Sequence, residues 1–259
     1  MSIYQSVCEE AARAAGKLLL EMQAGVKGRE KGANDLVSEA DLAAQITIRK
    51  ILLGAFPTYS FLGEEDDSNA RPALDTLSEC CWVVDPLDGT TNYLHRLQNF
   101  AVSIALCQEG KVLCGTVYDP VMNEFFWAER GLGAWLNGEK IHTSGCEQAS
   151  QALVAASLAP AVPRGSIEVK RMVEAIHQCQ GMRRLGSAAL NLSYVAAGRL
   201  DAYWATSVKA WDVAAGLLLV QEAGGTISQI DGGTLNLVKP ELLVSATSSL
   251  HRELLPFLQ

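Results

Sequence analysis

The sequence predicts a mixed α/β protein built in layers, and three observations predict it. An amphipathic helical pattern opens the chain. Apolar runs at 100–107, 112–118 and 124–128 are split by turn residues, which reads as an antiparallel meander. From 153 onward, short apolar runs alternate with helical patterns. A meander followed by alternating elements implies layers of sheet and helix. The chain has 259 residues, 49% hydrophobic and 19% charged, enough for a sizeable core in one large domain or two intimate halves.

Taken in order, residues 2–23 place Ile3, Val7, Ala11, Ala14 and Leu18 on one helical stripe. Residues 25–37 are glycine-rich and charged and read as a loop. A second helix starts near Ser38, where Ser38 and Asp41 match a capping box. Ile46, Ile48, Ile51 and Leu52 form its apolar side, and it ends by Gly54 or before Pro57. Trp82–Val84 reads as a buried strand that Pro86 stops, because proline donates no ladder hydrogen bond.

Glu109-Gly110 and Asp119-Pro120 punctuate the meander, and Asn137-Gly138 marks a tight hairpin before Lys140 and Ile141. The weakest seam is the small, polar stretch 143–151, which divides the chain into 1–145 and 146–259. The second half then reads strand 153–156, helix 167–179 with Met172, Val173 and Ile176 inward, and strand 182–185. Helix 188–197 is closed by Gly198, followed by strand 200–204 and a helix from Asp212 to Ala223. Strands 226–229 and 242–246 and a short terminal helix complete the chain.

Formal net charge is -8, which argues against a nucleic-acid or anionic-membrane binder. Glu9, Glu10, Arg13, Lys17 and Glu21 exclude a signal-peptide core, and no stretch carries the roughly 20 apolar residues of a membrane span. The expectation is a cytoplasmic protein whose seven cysteines are reduced. The four histidines are scattered, none at ligand spacing from a cysteine, so zinc is not expected.

The chemistry is carried by Asp85-Pro86-Leu87-Asp88-Gly89-Thr90-Thr91-Asn92. A buried strand delivers Asp85, and Asp88 follows across a tight turn. Two carboxylates held that close repel unless a cation lies between them. Gly89 lets a ligand approach the backbone, and the Gly89 and Thr90 N–H groups can face an anion. The bland alternative is a double turn on the surface. Glu64 sits in an acidic run, Glu64-Glu65-Asp66-Asp67, that also suits a solvated turn. Asp212 suits a helix N-cap, Asp41 its capping box, Thr90 and Thr91 plain loop hydroxyls, and Lys31 a solvated charge.

Together, G-E-E at 63–65, W-V-V-D-P-L-D-G-T-T-N at 82–92, R-R-L-G-S-A-A-L-N-L at 183–192, W-D-V-A-A-G at 211–216 and E-A-G-G at 222–225 resemble the inositol monophosphatase family. That family lies within the magnesium-dependent, lithium-sensitive phosphatases, and the resemblance spans nearly the whole chain. It implies a layered α-β-α-β-α sandwich and a homodimer. It implies hydrolysis of a small phosphate monoester, inositol monophosphate first, by metal-activated water. It implies two or three Mg2+ ions, with Mn2+ as a substitute. By the resemblance, Glu64, Asp85 and the Leu87 carbonyl hold one ion. Asp85, Asp88 and Asp212 hold a second, and Glu64 helps hold a third, weaker one. Asp41 and Thr90 orient the attacking water. Gly89 and Thr90 amides hold the phosphate. Gly186, Ser187 and Ala188 face the substrate, and Lys31 approaches the site from its loop.

One position departs from the pattern. Ala205 stands where inositol-specific relatives have a glutamate that contacts inositol hydroxyls. A buried polar contact to a substrate hydroxyl carries large discrimination. Its loss leaves the metal chemistry intact but opens the leaving group to histidinol phosphate, fructose 1,6-bisphosphate or a 3'-phosphonucleotide. The alternative of another class is a catalytically idle binding protein.

Overall fold

Seven helices and fourteen strands are described in a computed structural model that covers residues 2–23, 28–30, 36–66, 79–159 and 161–259, without the side chains of 28–30 and 36–38. Lys31 and Asp67, and the side chain of Ser38, fall outside the described residues. The order begins α1 (Ile3–Met22), β1 (Gly28–Glu30), β2 (Leu36–Ser38), α2 (Glu39–Ala55), β3 (Ser60–Gly63), β4 (Cys81–Asp88) and α3 (Thr90–Leu94). The meander follows as β5 (Ala101–Gln108), β6 (Lys111–Asp119), β7 (Glu124–Glu129), β8 (Gly133–Leu136) and β9 (Glu139–Ile141). The second half is β10 (Leu153–Ser157), α4 (Ile167–Gln178), β11 (Gly181–Arg183), α5 (Ala188–Ala196), β12 (Ala202–Ala205), α6 (Ala210–Glu222), β13 (Thr226–Gln229), β14 (Leu242–Ser245) and α7 (Ser248–Leu258).

Strands β3 to β9 form one seven-stranded sheet in sequence order, with β3 parallel to β4 and the rest antiparallel. The five-stranded sheet runs β11-β10-β12-β14-β13, parallel through β12 and antiparallel beyond it. Helices α1 and α2 cover one face of the larger sheet through Trp82, Val84, Ile104 and Leu106. Helices α5 and α6 fill the space between the sheets. Helices α4 and α7 cover the outer face of the smaller sheet through Val154, Trp204 and Leu243. The result is the α-β-α-β-α layering. Every residue of β4 is buried because both faces of its sheet are covered.

Several readings are corrected. The 25–37 loop contains a short antiparallel pair, β1 with β2. Helix α1 turns Cys8, Ala12, Ala15 and Gly16 inward and leaves Ile3 exposed. Small residues win that face because the helix lies close to β6: a Cβ on Gly16 would sit 2.6 Å from the Tyr118 ring. In α2, Ile46 points outward while Asp41 and Gln45 are buried. Gln45 is tolerated there because its amide accepts the Glu65 N–H (3.0 Å) and donates to Asp66 (3.1 Å).

Pro86 does not stop β4. The strand passes through it, and pairing resumes from Asp85↔Ser103 to Asp88↔Ala101 across a register shift. A bulge is where a strand accommodates proline. In α4, Val173 and Ile176 are exposed, and Arg171 and Ala175 face inward. The Arg171 guanidinium donates to the Leu258 carbonyl at 2.5 Å and to Glu168 at 2.7 Å, which fixes that rotation of the helix. All seven cysteines are free thiols, four of them buried. Among the described residues no helix is long and apolar enough to cross a membrane.

Helix α6 is the hinge of the architecture, touching both sheets and α5. It approaches β6 so closely that a Cβ on Gly115 would lie 2.8 Å from the Ala215 Cα. Gly115→Ala is expected to cost about 1–3 kcal/mol through overpacking. Urea unfolding checks this, and an unchanged midpoint would show that the close approach is not needed.

Candidate active site

Parallel pairing creates the first part of the site. Because β3 and β4 run the same way, with Gly63 opposite Val84, their ends carry Glu64 and Asp85 side by side. The Glu64 N–H continues the ladder to the Val84 carbonyl at 3.1 Å. Beyond it the acidic run splits by role. Asp66 turns back onto Arg49 and Gln45 and accepts the Gly63 N–H at 2.9 Å, so it closes the turn. Asp41, Glu64 and Glu65 offer oxygens within 4.8 Å of one another. Glu65 joins this group unforeseen. In the sequence it stood within the acidic run and the G-E-E segment at 63–65, with no role assigned to it.

The β4 bulge shapes the second part. Asp85 is 2% exposed and accepts the Leu87 N–H at 2.9 Å, a donor the bulge has released from the ladder. The Leu87 carbonyl accepts the Thr90 hydroxyl at 3.1 Å. Gly89 precedes α3 at φ 96°, and a Cβ there would meet the Asn99 carbonyl at 3.0 Å, so only glycine fits. Asn92 donates to the Asn99 and Leu185 carbonyls, both at 2.7 Å, and ties this loop to the 183–187 segment.

The second half of the chain supplies the rest. Ser103, opposite Asp85 on β5, donates to the Trp211 carbonyl at 3.1 Å and so pins the start of α6. That helix begins at Ala210, so Asp212 is its third residue rather than its cap, and Asp212 accepts the Lys209 N–H at 2.7 Å. Asp88 accepts the Ser187 hydroxyl at 2.5 Å and the Ala189 N–H at 2.7 Å at the start of α5. Ser187 is therefore buried against Asp88, while Gly186 and Ala188 line the cleft.

These elements enclose a cleft of about 680 Å³. Glu64, Asp85, Leu87, Asp88, Gly89, Thr90 and Asp212 all line it. Asn92, Ser157, Arg184 and Val208 line it as well, with no role in the sequence reading. Asp41 is not among the cleft-lining residues; it is 1% exposed, groups with Glu64 and Glu65, and its charge acts on Asp85.

Burial, then repulsion from Glu64, Asp88, Asp212 and Asp41, raises the Asp85 carboxyl well above the ordinary carboxylate range. Burial and the charges of Asp88 and Glu64 do the same to Asp212, against the pull of the Lys209 N–H. Burial lifts Asp88 to about 6 despite its bonds from Ser187, Ala189 and Ala188. Asp85 and Asp212 both line the cleft, and each carboxyl is raised by burial and by neighbouring acids. A hard divalent cation answers the same repulsion, and the carboxylates of Glu64, Asp85, Asp88 and Asp212 are the oxygen donors such an ion prefers.

Alternating layers surround an acidic cleft, and the match to a family of phosphoric monoester hydrolases gives that cleft its class. A family profile described as the inositol monophosphatase family matches residues 2–259, and the chain belongs to that family. It is 39% identical over 230 residues to inositol-1-monophosphatase of Caulobacter vibrioides, covering 87% of this chain and 88% of the relative. It is 39% identical over 254 residues to Nus factor SuhB of Pseudomonas aeruginosa, covering 93% and 91%. The structure of extragenic suppressor protein suhB from Bartonella henselae superposes with a TM-score of 0.92 at 35% identity, covering 100% of this chain and 99% of that one. Enzymes of this family are generally metal-dependent, in keeping with the acidic cluster.

Proposed function

We propose that the chain is a Mg2+-dependent phosphatase of small phosphate monoesters, inositol monophosphate first among them. The observation that carries this reading is the meeting of Glu64, Asp85, Asp88 and Asp212, from three distant segments, in one cleft. Glu64, Asp85, Asp88, Asp212 and the Leu87 carbonyl would hold the ions. Bound Mg2+ acidifies water and neutralises phosphate and leaving-group charge. Asp41 and Thr90 orient the attacking water. Gly89 and Thr90 present N–H groups to the phosphate, and Gly186 and Ala188 bound the leaving group. In this reading residues 1–145 supply most of the metal ligands, and 146–259 complete the site with Asp212. Phosphoryl transfer needs in-line positioning and charge neutralisation more than a protein nucleophile. A homodimer is the expected assembly.

The test is a kinetic comparison at saturating Mg2+ across inositol 1-phosphate, histidinol phosphate, fructose 1,6-bisphosphate and 3'-phosphoadenosine 5'-phosphate. Inositol 1-phosphate should give the highest kcat/KM. A larger value for another ester would transfer the assignment to it, as the fully buried, apolar Ala205 allows. Inactivity on all four would favour the second reading, a binding protein, which the relatives named Nus factor SuhB support.

Ser187 holds Asp88 from beneath. Ser187→Ala removes a hydrogen bond that lowers the Asp88 carboxyl, so protons compete better with metal there. Mg2+ activation should weaken on the order of 10-fold, as for other groups that orient metal ligands. A titration of rate against Mg2+ reads this directly, and an unaltered activation constant would rule out the support role.

A further inference from the structure

A second cavity, of about 610 Å³, lies at the C-terminal half of α6 and shares no lining residue with the catalytic cleft. That volume is in the range of small-molecule sites, roughly 300–1,000 Å³. Val112 of β6, Leu217 and Leu218 of α6 and Ile227 of β13 give it apolar walls. Lys111 and Arg130 also line it, and no aspartate or glutamate does. In a chain of net charge -8, a solvent-open cavity bordered by two exposed cations and no acid is a local reversal of sign.

The two cations are available. Arg130 is anchored by its Nε–H to the Val112 carbonyl at 2.8 Å, which holds the stem and leaves the fork's other N–H groups for a ligand. Among the described residues, neither Lys111 nor Arg130 has a carboxylate within ion-pair distance. Apolar walls bind an apolar body, and a guanidinium beside an ammonium binds an anionic head. A bare phosphate would leave the partly exposed Ile227, Leu235 and Leu237 side chains uncovered. A neutral apolar molecule would leave the cations unused.

We propose that this cavity is a second small-molecule site, selective for an organic anion with an apolar body. The inference stands apart from the catalytic reading, because none of its residues takes part in that cleft.

Calorimetric titration with 4-phenylbutyrate, and with 4-phenylbutanol as the neutral match, tests it. The carboxylate should bind one per chain and about tenfold or more tighter than the alcohol, a margin of about 1.4 kcal/mol. The double variant Lys111→Glu, Arg130→Glu should lose about tenfold or more in affinity, with melting temperature and phosphatase rate unchanged. Saturating Mg2+ with inorganic phosphate should not displace the ligand. If the double variant melts early, Lys111→Gln alone should still weaken the carboxylate and spare the alcohol. Absence of saturable binding, equal binding of acid and alcohol, indifference to the charge changes, or displacement by phosphate would each overturn the proposal.

Discussion

Asp85→Asn is expected to lower kcat on the order of 10³-fold, equivalent to about 4 kcal/mol of barrier, while the protein stays folded. Asp85 feels the charges of Glu64, Asp88, Asp212 and Asp41 together. Asparagine keeps the shape and an oxygen that can accept the Leu87 N–H. It lacks the charge that holds a divalent ion. Folding stability should move the other way. A buried carboxylate among like charges destabilises the metal-free fold at neutral pH, so its neutral replacement should melt at the same temperature or a few degrees higher without metal. Near-normal turnover would remove Asp85 from the metal site. A collapsed circular-dichroism spectrum would make its role structural.

The second large effect is a pH-dependent stabilisation by Mg2+. Asp88 titrates at about 6, and Asp85 and Asp212 are also raised, all above the roughly 3.9 of an unfolded aspartate. A carboxyl raised on folding favours the protonated native state. Its contribution is fully present below the unfolded value and is lost as pH climbs through the folded one. For Asp88 that window runs from about 4 to about 6, and the raised Asp85 and Asp212 add to the loss with the same sign. The metal-free protein should therefore weaken as pH rises from about 4 through about 6, with Asp85 and Asp212 acting in the same direction. Mg2+ competes with those protons, so it should raise the melting temperature more at pH 8 than at pH 5. At 100 times its dissociation constant the gain is about 2.7 kcal/mol. Differential scanning calorimetry with and without chelator measures both limbs. A larger Mg2+ effect at pH 5 would contradict the coupled-acid account.

The order of elements was largely legible because helix and strand periodicity are local properties. The hairpin turns were legible for the same reason: Asn137 and Gly138 adopt the positive φ values of 49° and 86° that their residue types favour. Helix faces were less legible. Ile46, Val173 and Ile176 are apolar and yet exposed, because α2 and α4 carry apolar side chains on more than one side. The choice fell to contacts from elsewhere: Gln45 capturing the 64–66 turn, and Arg171 capturing the end of α7. Pro86 misled because a proline signals a stop in a regular strand, and the bulge that absorbs it depends on pairing with β5.

The sequence by itself determined the layered α/β class, the run of strands and helices, and the short acidic motifs with their turn residues. These are settled within windows of a few residues by periodicity, proline, glycine and like-charge proximity. Only the tertiary structure decided that Glu64 stands beside Asp85, that Ser103 brings Asp212 to them, that Ser187 lies beneath Asp88, and that a cation-lined cavity flanks α6. Each of those facts joins residues tens of positions apart, and strand register and helix packing, not local pattern, set which distant groups meet.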